Sequence, residues 1–286
     1  MTAGVTTVVA TRDRWHDLAR TLPHHEPPVI VVDNASRDGT PARVRDAFPD
    51  VGVVALPRNL AAVGRNVGVR AARTPYVAFA DDDSWWEPGA LERAAALLDR
   101  HPRLGVVAAR VLVGGRTDPT CEAMAASPLD HAPGQPAPAV LGFLACGAVV
   151  RREAFLAVGG FHELVAYPGE EQLLALDLAA SGWALSYAED VVAHHEPSTS
   201  RPPAYTRRVL DERSALLTAL LRRPWRTVAD TALGALRHGS VGALGLAAAL
   251  PRAPRALAQR RRLPASVEAA RSLLDEPSAT VGVPAL

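Results

Sequence analysis

Residues 76–83 have the sequence Tyr-Val-Ala-Phe-Ala-Asp-Asp-Asp, an apolar run that ends in three consecutive carboxylates. Tyr76 to Ala80 are short, apolar and bounded by turn residues, which predicts a buried strand. Asp81, Asp82 and Asp83 then fall at its carboxyl end, where open α/β sheets bind their ligands. Hard oxygen ligands at that edge favour Mg²⁺ or Mn²⁺ together with a diphosphate. A solvated acidic turn that caps the next helix is the alternative, but it requires only one of the three acids.

Around this stretch, short β-branched runs alternate with helical patterns, which is typical of βαβ units and a mostly parallel sheet. Strands are predicted at Val5–Ala10, Val29–Val32, Val51–Leu56 and Gly105–Val111. Further along, helices are predicted over 153–158 and 170–181, and strands over 184–187 and 191–194. Between them, Gly114 to Pro138 lack periodicity and predict a long loop with one helical turn. We therefore expect an α/β domain over 1–205 and, because only helical patterns follow, a helical C-terminal extension over 206–286.

Composition excludes several classes of protein. With 31 basic and 30 acidic residues the formal charge is +1, so we expect no nucleic-acid partner. Cys121 and Cys146 lack metal-type spacing, which favours a reducing, cytoplasmic location. Met1 to Ala10 have no signal-peptide pattern. Val241 to Leu250 are about half of the roughly 20 residues that a spanning helix needs, so peripheral contact with a membrane surface is the form of attachment left open.

A further carboxylate, Asp33, follows the predicted strand Val29–Val32 within Asp-Asn-Ala-Ser-Arg-Asp-Gly-Thr. At the edge of such a sheet an aspartate can accept hydrogen bonds from a base or a ribose. An Asx-turn that leads into the helix after Gly39 is the alternative, and it accounts for Asn34 to Gly39 better than for Asp33. Both interpretations stay open at this point.

Four motifs occur in order and together resemble the nucleotide-sugar half of a family 2 glycosyltransferase with the GT-A fold. They are Thr11-Arg12-Asp13-Arg14, Val31 to Thr40, Asn59 with Arg65-Asn66-Val67-Gly68, and Asp81-Asp82-Asp83. The resemblance covers roughly residues 4 to 200. Each motif is weak alone, but four in sequence at these separations are specific.

The resemblance implies a hexosyl-type transfer, with inversion, from a nucleotide-diphosphate sugar to an acceptor hydroxyl, assisted by Mn²⁺ or Mg²⁺. It implies that Thr11 and Asp33 contact the nucleoside, and that Arg12, beside Thr11 in the first motif, belongs to the same donor site. Arg65 is expected near the base or the diphosphate. Asp81, Asp82 and Asp83 form the DXD-type motif. Asp83 is the expected metal ligand, and Asp82 is expected nearer the ribose.

Gly169-Glu170-Glu171 at the start of an apolar-faced helix resembles the family's Glu-Asp motif, whose second acid is the catalytic base. The sequence departs from that pattern, because Glu171 replaces aspartate and Gln172-Leu173 follow where a further aspartate is common. A carboxylate suits the task of accepting a proton from the attacking hydroxyl. The alternative is that acids are simply favoured by the helix dipole, by about 0.3–1 kcal/mol each, which is sufficient for one of the two.

His194 and His195 follow the strand-like Val191 to Ala193. In the family a histidine after such a strand completes the metal shell or contacts the diphosphate, and His194 matches that position. Neutral imidazole is a reasonable ligand for Mn²⁺ and a poorer one for Mg²⁺. The alternative is an ordinary surface histidine, which applies to at least one of the pair.

The expected function is therefore glycosyl transfer from a UDP-, GDP- or dTDP-sugar to a glycan, lipid-linked or small-molecule acceptor. A sugar-phosphate nucleotidyltransferase and a dinucleotide oxidoreductase are disfavoured, because no glycine-rich loop follows the first strand. A catalytically silent nucleotide-sugar-binding or scaffold protein is the alternative that the altered Glu171-Gln172 region keeps open. The arginine-rich segment 252–262 is either a solvated helix face or a surface for anionic lipid or an acidic acceptor, and the neighbouring apolar segment could also serve a homo-oligomer interface.

Overall fold

The computed structural model describes residues 4–131, 134–136, 138–199 and 203–275. Within these ranges the chain forms one sheet of nine strands. The strands are β1 (Val5–Thr11), β2 (Val29–Asp33), β3 (Gly52–Ala55), β4 (Tyr76–Asp81), β5 (Ser84–Trp86), β6 (Leu104–Val113), β7 (Arg116–Thr117), β8 (Ala148–Arg151) and β9 (Ala184–His195).

Helices connect and follow these strands. They are α1 (Trp15–Thr21), α2 (Thr40–Ala47), α3 (Gly64–Ala71), α4 (Ala90–Arg100), α5 (Pro119–Ala125), α6 (Arg152–Ala157), α7 (Glu170–Ala180), α8 (Ala204–Arg222), α9 (Trp225–Arg237), α10 (Gly239–Ala249), α11 (Ala253–Ala258) and α12 (Ala265–Asp275). None of the helices in the described part of the chain is long and apolar enough to cross a membrane.

The strand order is β3-β2-β1-β4-β8-β6-β9-β5, with β7 beside β6. β1, β2, β3, β4, β6 and β9 share one direction, while β5, β7 and β8 run against it. This confirms the predicted α/β class with a mostly parallel sheet flanked by helices and a helical C-terminal region. The helical region begins at Ala204, near the predicted boundary, and the division into two domains stays a prediction.

Both faces of the sheet are covered around its central strands, which explains why β2 and β4 are apolar along almost their whole length. Because side chains alternate along a strand, Val8 packs into one core cluster and Val9 into another. On the neighbouring strand, Val32 and Val31 are divided in the same way. The runs predicted at β1, β2 and β4 are thus buried from two sides, whereas β3, also predicted as a buried strand, lies at the edge of the sheet and is partly exposed.

The structure differs from the sequence-based predictions of local structure in three places. The two strands expected over 184–187 and 191–194 are one strand, β9, because residues between Ala188 and Val192 bulge out of register with β6. β5 was not predicted, since three residues are too few to show a period. The expected loop 114–138 contains β7 and α5, whose first turn is capped by Asp118 accepting a hydrogen bond from Thr120 N at 2.8 Å. Residues 132, 133 and 137 of that stretch lie outside the described residues.

The C-terminal helices pack on α7 rather than on the sheet. Leu173 of α7 shares a buried cluster with Leu217 and Leu221 of α8. Arg222, which is 2% exposed, donates a hydrogen bond from Nη2 to Asp177 Oδ2 at 2.9 Å. α7 therefore joins the helical region to the sheet and is held on both sides.

Gly68 gives a test of how closely α3 lies on the sheet. A Cβ at this position would lie 2.5 Å from Val8 Cγ1 and 2.9 Å from Val32 Cγ2. We expect Gly68→Ala to lower the free energy of unfolding by about 1–3 kcal/mol through overpacking, measured by urea denaturation. Gly234 in α9 is the matched control, because its Cβ would meet no atom within 4 Å. Gly234→Ala should raise stability by about 0.5–1 kcal/mol, and equal effects of the two changes would argue against this packing.

Candidate functional site

A cavity of about 550 Å³ opens at the carboxyl ends of β1 and β4. This is the edge at which the loops after parallel strands converge. Most of the residues singled out from the sequence meet here. The lining includes Thr11, Arg12, Arg65, Asp81, Asp82, Asp83, Glu170, Glu171 and His195.

The first wall of the cavity is built around Asp82. Thr11 Oγ1 donates a hydrogen bond to Asp82 Oδ2 at 2.9 Å, and Arg14 Nη1 lies 3.3 Å from Asp82 Oδ1. Burial raises the pKa of Asp82 to about 7, against the opposing effect of Arg14. Arg12 is exposed at the rim, with Nε 3.4 Å from Asp13 Oδ2. Thr11 and Asp82 are thus coupled to each other before any ligand arrives.

Asp33 lies beside Thr11 in the sheet, because the two residues are paired in the register of β2 with β1. Asp33 is 1% exposed, and its two carboxylate oxygens have different contacts. Oδ2 accepts a hydrogen bond from Ser36 N at 2.9 Å, the Asx-turn geometry, whereas Oδ1 is buried without a hydrogen-bond partner. The adjacent Asn34, not Asp33, lines the cavity. The turn interpretation therefore accounts for one carboxylate oxygen and leaves the other available.

A second cluster brings Asp81, Asp83 and His195 together. One ligand atom from each lies within 4.8 Å of the others, a spacing that suits a shared cation. His195 Nε2 is 3.3 Å from Asp83 Oδ1, and Ser198 N donates to Asp83 Oδ2 at 2.8 Å. The chain after β9 thus contacts Asp83 and fixes the orientation of its carboxylate.

The structure places His194 away from this cluster, contrary to the sequence-based assignment. Neighbouring residues on a strand point to opposite faces, so only one of the two histidines can face Asp83. The short strand β5 pairs with β9 in a register that sets Ser84 opposite His195 and Trp85 opposite His194. His194 stacks on Trp85 with ring centroids 5.2 Å apart and lies 3.5 Å from Glu87. His195 takes the position that the family pattern gave to His194.

The opposite wall carries Arg65, Glu170 and Glu171. Arg65 is 7% exposed and forms an ion pair with Asp81. Burial opposes the charge of the guanidinium, but Asp81 and the two glutamates outweigh it and hold the pKa of Arg65 above its ordinary value. Burial likewise raises the pKa of Glu170 and of Glu171, which also repel each other at the start of α7. Glu170 is 3% exposed and its Oε2 has no hydrogen-bond partner.

The segment that leads into α7 is joined to α3 through Asn66. Its side chain donates to Phe161 O and accepts from Phe161 N, both at 2.9 Å. A Cβ on Gly160 would lie 2.6 Å from Asn66 Oδ1. Gly159-Gly160 therefore end α6 and allow this contact, and they lie outside the cavity lining. Asn66, the motif residue next to Arg65, thus connects the N-terminal half of the chain to the segment before α7 by two hydrogen bonds.

Among the charged and aromatic residues of the lining, sequence analysis missed Arg14, Asp118 and Tyr167. Arg14 was quoted within the first motif, but nothing singled out its position from that of Arg12. Asp118 and Tyr167 lie in segments without periodicity, where the sequence gives no indication of which side chain turns inward. A basic residue three positions after a strand end, opposite several acids, is the signal that could have identified Arg14.

The geometry agrees with comparison to known proteins. A family model described as glycosyl transferase family 2 matches residues 8–159, which include β1 through β8 and the aspartate triad. The chain belongs to glycosyl transferase family 2. A Mycobacterium tuberculosis relative, N-acetylglucosaminyl-diphospho-decaprenol L-rhamnosyltransferase, is 28% identical over 214 residues, covering 62% of this chain and 69% of the relative.

Solved structures share the fold of this family 2 glycosyltransferase. Mannosyltransferase PcManGT from Pyrobaculum calidifontis, in complex with GDP-Man and Mn²⁺, has a TM-score of 0.56 at 20% identity, over 94% of this chain and 86% of PcManGT. S. aureus TarS 1-349 in complex with UDP-GlcNAc has a TM-score of 0.56 at 19% identity, over 80% of this chain and 71% of TarS 1-349. The chain spans 40% of a longer S. aureus TarS. The expected GT-A fold is confirmed.

Arg65 lowers the pKa of both glutamates against the larger effect of burial, which gives a direct test. Replacing it with glutamine removes a positive charge that lowers the pKa of both groups. We therefore expect Arg65→Gln to raise the pKa of Glu170 and Glu171 further, measured by carbon-13 NMR titration of the glutamate carboxyls. The exposed Arg58 supplies the control, and Arg58→Gln should leave the pKa of both glutamates unchanged. Unchanged titrations in Arg65→Gln would contradict the arrangement.

Proposed function

We propose that the chain transfers a hexosyl group from a nucleotide-diphosphate sugar to an acceptor hydroxyl, with metal assistance and inversion at the anomeric carbon. The observation that carries the proposal is the joint presence, in one cavity, of a cation-type cluster and a pair of adjacent glutamates. The first suits a diphosphate and the second suits an acceptor hydroxyl. Family membership supports glycosyl transfer, while inversion is taken from the resemblance of the motifs.

The donor is proposed to lie along the wall that carries Thr11 and Asp82. Asp33 Oδ1, which is buried without a partner, is offered to the nucleoside. Arg12 and Arg65 supply positive charge on opposite sides of the aspartates and would face the base or the diphosphate. The related structures hold GDP-Man or UDP-GlcNAc. A UDP-, GDP- or dTDP-sugar is the donor class proposed for this chain.

A divalent cation fits the residues that are present. Asp81, Asp83 and His195 offer two carboxylates and one imidazole within 4.8 Å of one another, leaving other positions for a diphosphate and water. The imidazole favours Mn²⁺ over Mg²⁺. When bound, such an ion offsets negative charge that develops on the leaving nucleoside diphosphate. Arg65, already paired with Asp81, adds a fixed positive charge beside the same group.

Glu171 is proposed as the general base. Glu170 is the other acid of the same pair. Glu171 is partly exposed in the cavity, whereas Glu170 is buried, so Glu171 is the one that an acceptor reaches. Its raised pKa makes the carboxylate a stronger base than an ordinary glutamate. It would take the acceptor proton as the oxygen attacks the anomeric carbon from the side opposite the leaving diphosphate.

The acceptor is proposed to be a hydroxyl of a glycan, a lipid-linked sugar or a small molecule. The name of the mycobacterial relative, which is 28% identical, specifies a diphospho-decaprenol-linked sugar. This favours the lipid-linked class. A cytoplasmic location also remains a prediction.

The two histidines offer a matched test of the metal site. We expect His195→Gln to weaken Mn²⁺ binding by about tenfold or more, because it removes a ligand, and His194→Gln to leave it unchanged. Isothermal titration calorimetry with Mn²⁺, with and without the nucleoside diphosphate, measures both. Equal effects of the two substitutions, or a loss confined to His194→Gln, would contradict the assignment of His195.

Turnover is tested with a panel of UDP-, GDP- and dTDP-sugars, following release of nucleoside diphosphate with Mn²⁺ or Mg²⁺. We expect Glu171→Gln to bind donor normally but to lose about 10²–10⁴-fold in turnover, because the base is removed. The exposed Glu122 on α5 is the control, and Glu122→Gln should keep full activity. Donor binding without turnover in the parent, across glycan and lipid-linked acceptors, would favour the silent scaffold instead. Absence of donor binding to any of the panel would contradict the proposal itself.

The raised pKa of Glu171 also predicts the acid side of the pH profile. The base must be deprotonated, so turnover should fall as the pH drops through a value above 4.5, the ordinary pKa of a glutamate. A pH–rate profile of kcat/KM measured at saturating metal tests this expectation. An acid limb at or below pH 4.5 would mean that the group controlling turnover is not Glu171.

A further inference from the structure

α10 has an unusual distribution of side chains. Its sequence, Gly-Ser-Val-Gly-Ala-Leu-Gly-Leu-Ala-Ala-Ala, contains no charged residue. A helix that is apolar all round is normally buried. Here the buried positions include Gly242 and Gly245, while Leu244 is 49% exposed. The small residues face the protein and a large apolar residue faces outward.

The glycines explain why the helix cannot simply turn its leucines inward. A Cβ on Gly242 would lie 1.7 Å from Ala235 O of α9, and one on Gly245 would lie 2.4 Å from Glu212 Cβ of α8. The buried face of α10 is therefore in backbone contact with both neighbouring helices. Its orientation is fixed by close packing, and the exposed leucine is a consequence of that packing.

The exposure extends beyond α10 over the neighbouring helices. Leu233 and Leu236 near the end of α9 are 54% and 56% exposed, and Leu250 after α10 is 66% exposed. Leu257 of α11 is 43% exposed. Single exposed leucines need no explanation, but several on consecutive packed helices do. We call residues 225–263 the leucine–arginine surface.

The same segment carries most of the excess positive charge of the chain. It contains seven arginines and one aspartate, a formal charge of +6, whereas the whole chain has +1. Arg237 directly follows Leu236, and Arg252 stands two residues after Leu250. Both arginines are exposed. Exposed apolar side chains interleaved with arginines are the composition that binds the headgroup region of an anionic bilayer.

We propose that the leucine–arginine surface docks on an anionic lipid surface, with its leucines entering the headgroup boundary and its arginines facing the lipid phosphates. The proposed attachment is peripheral, through the side chains of this surface. A second copy of the chain would meet the same high positive charge on its own copy of this surface, which disfavours self-association there.

Docking of this surface would also bear on the cavity. α10 packs through Gly245 on α8, and the adjacent Arg213 of α8 donates a hydrogen bond to Tyr167 O. Tyr167 lines the cavity three residues before Glu170. The lipid-facing helices are thus one layer from the segment that carries the proposed base. For a lipid-linked acceptor, which rests on the proposed function, the attachment would bring the site to the substrate's own surface.

The test uses the full chain and vesicles, without donor or acceptor, so it is independent of turnover. We expect sedimentation with phosphatidylglycerol-containing vesicles, no binding to pure phosphatidylcholine vesicles, and weaker binding as NaCl is raised. Leu244→Glu should weaken binding about tenfold or more, because an apolar contact is lost. Arg237→Gln and Arg252→Gln should each weaken it about fivefold.

Matched controls lie outside the surface. Leu273→Glu replaces a 45%-exposed leucine on α12, and Arg58→Gln removes one exposed arginine from the N-terminal half. Both should bind vesicles like the parent, and thermal melts should confirm that Leu244→Glu is folded. Nucleoside diphosphate release by Leu244→Glu with a soluble acceptor should equal that of the parent.

Three results would overturn the proposal. They are failure of the parent to bind anionic vesicles, equal binding to neutral vesicles, and equal loss of binding in the control variants. If Leu244→Glu instead converts a dimer to a monomer on gel filtration and vesicle binding is unchanged, the surface is an interface between copies. None of these results depends on whether the chain transfers sugar.

Discussion

The buried guanidinium of Arg65 is the interaction on which the cavity depends. It lies among Asp81, Glu170 and Glu171, and it is the cation that lowers the pKa of both glutamates. Removing charges from water is costly, and a buried cation is tolerated only when paired. The three acids come from β4 and α7, elements far apart in the chain, so the arginine holds together the two halves from which the cavity is made.

This arrangement creates different electrostatic conditions within one cavity. Around Asp81 and Asp83 the carboxylates are close to an imidazole and to arginines, which suits a site that receives a cation and a diphosphate. Around Glu170 and Glu171 burial dominates and favours the protonated form. The proposed chemistry needs both conditions within one cavity.

The sequence was sufficient for what depends on local pattern. The apolar runs before Thr11, Asp33 and Asp81 predicted strands, and the rule that parallel strands end at one edge predicted that these residues would meet. The choice between His194 and His195 depends on a pairing with β5, a strand too short to leave a pattern. The continuity of β9 was hidden by a bulge whose acidic residues look like a turn. The inward orientation of Tyr167 depends on tertiary contacts that no local periodicity encodes.

The strand order has a consequence for how the chain acquires its structure during synthesis. β3, β2, β1 and β4 are complete once Asp81 has left the ribosome, but the free edge of β4 is covered only by β8, which begins at Ala148. Until then the nascent chain presents an unpaired apolar edge, the kind of surface that aggregates with other chains. α4 and the polar stretch before β8 are made in that interval. Closure of this edge of the sheet during synthesis therefore waits until β8 has been made.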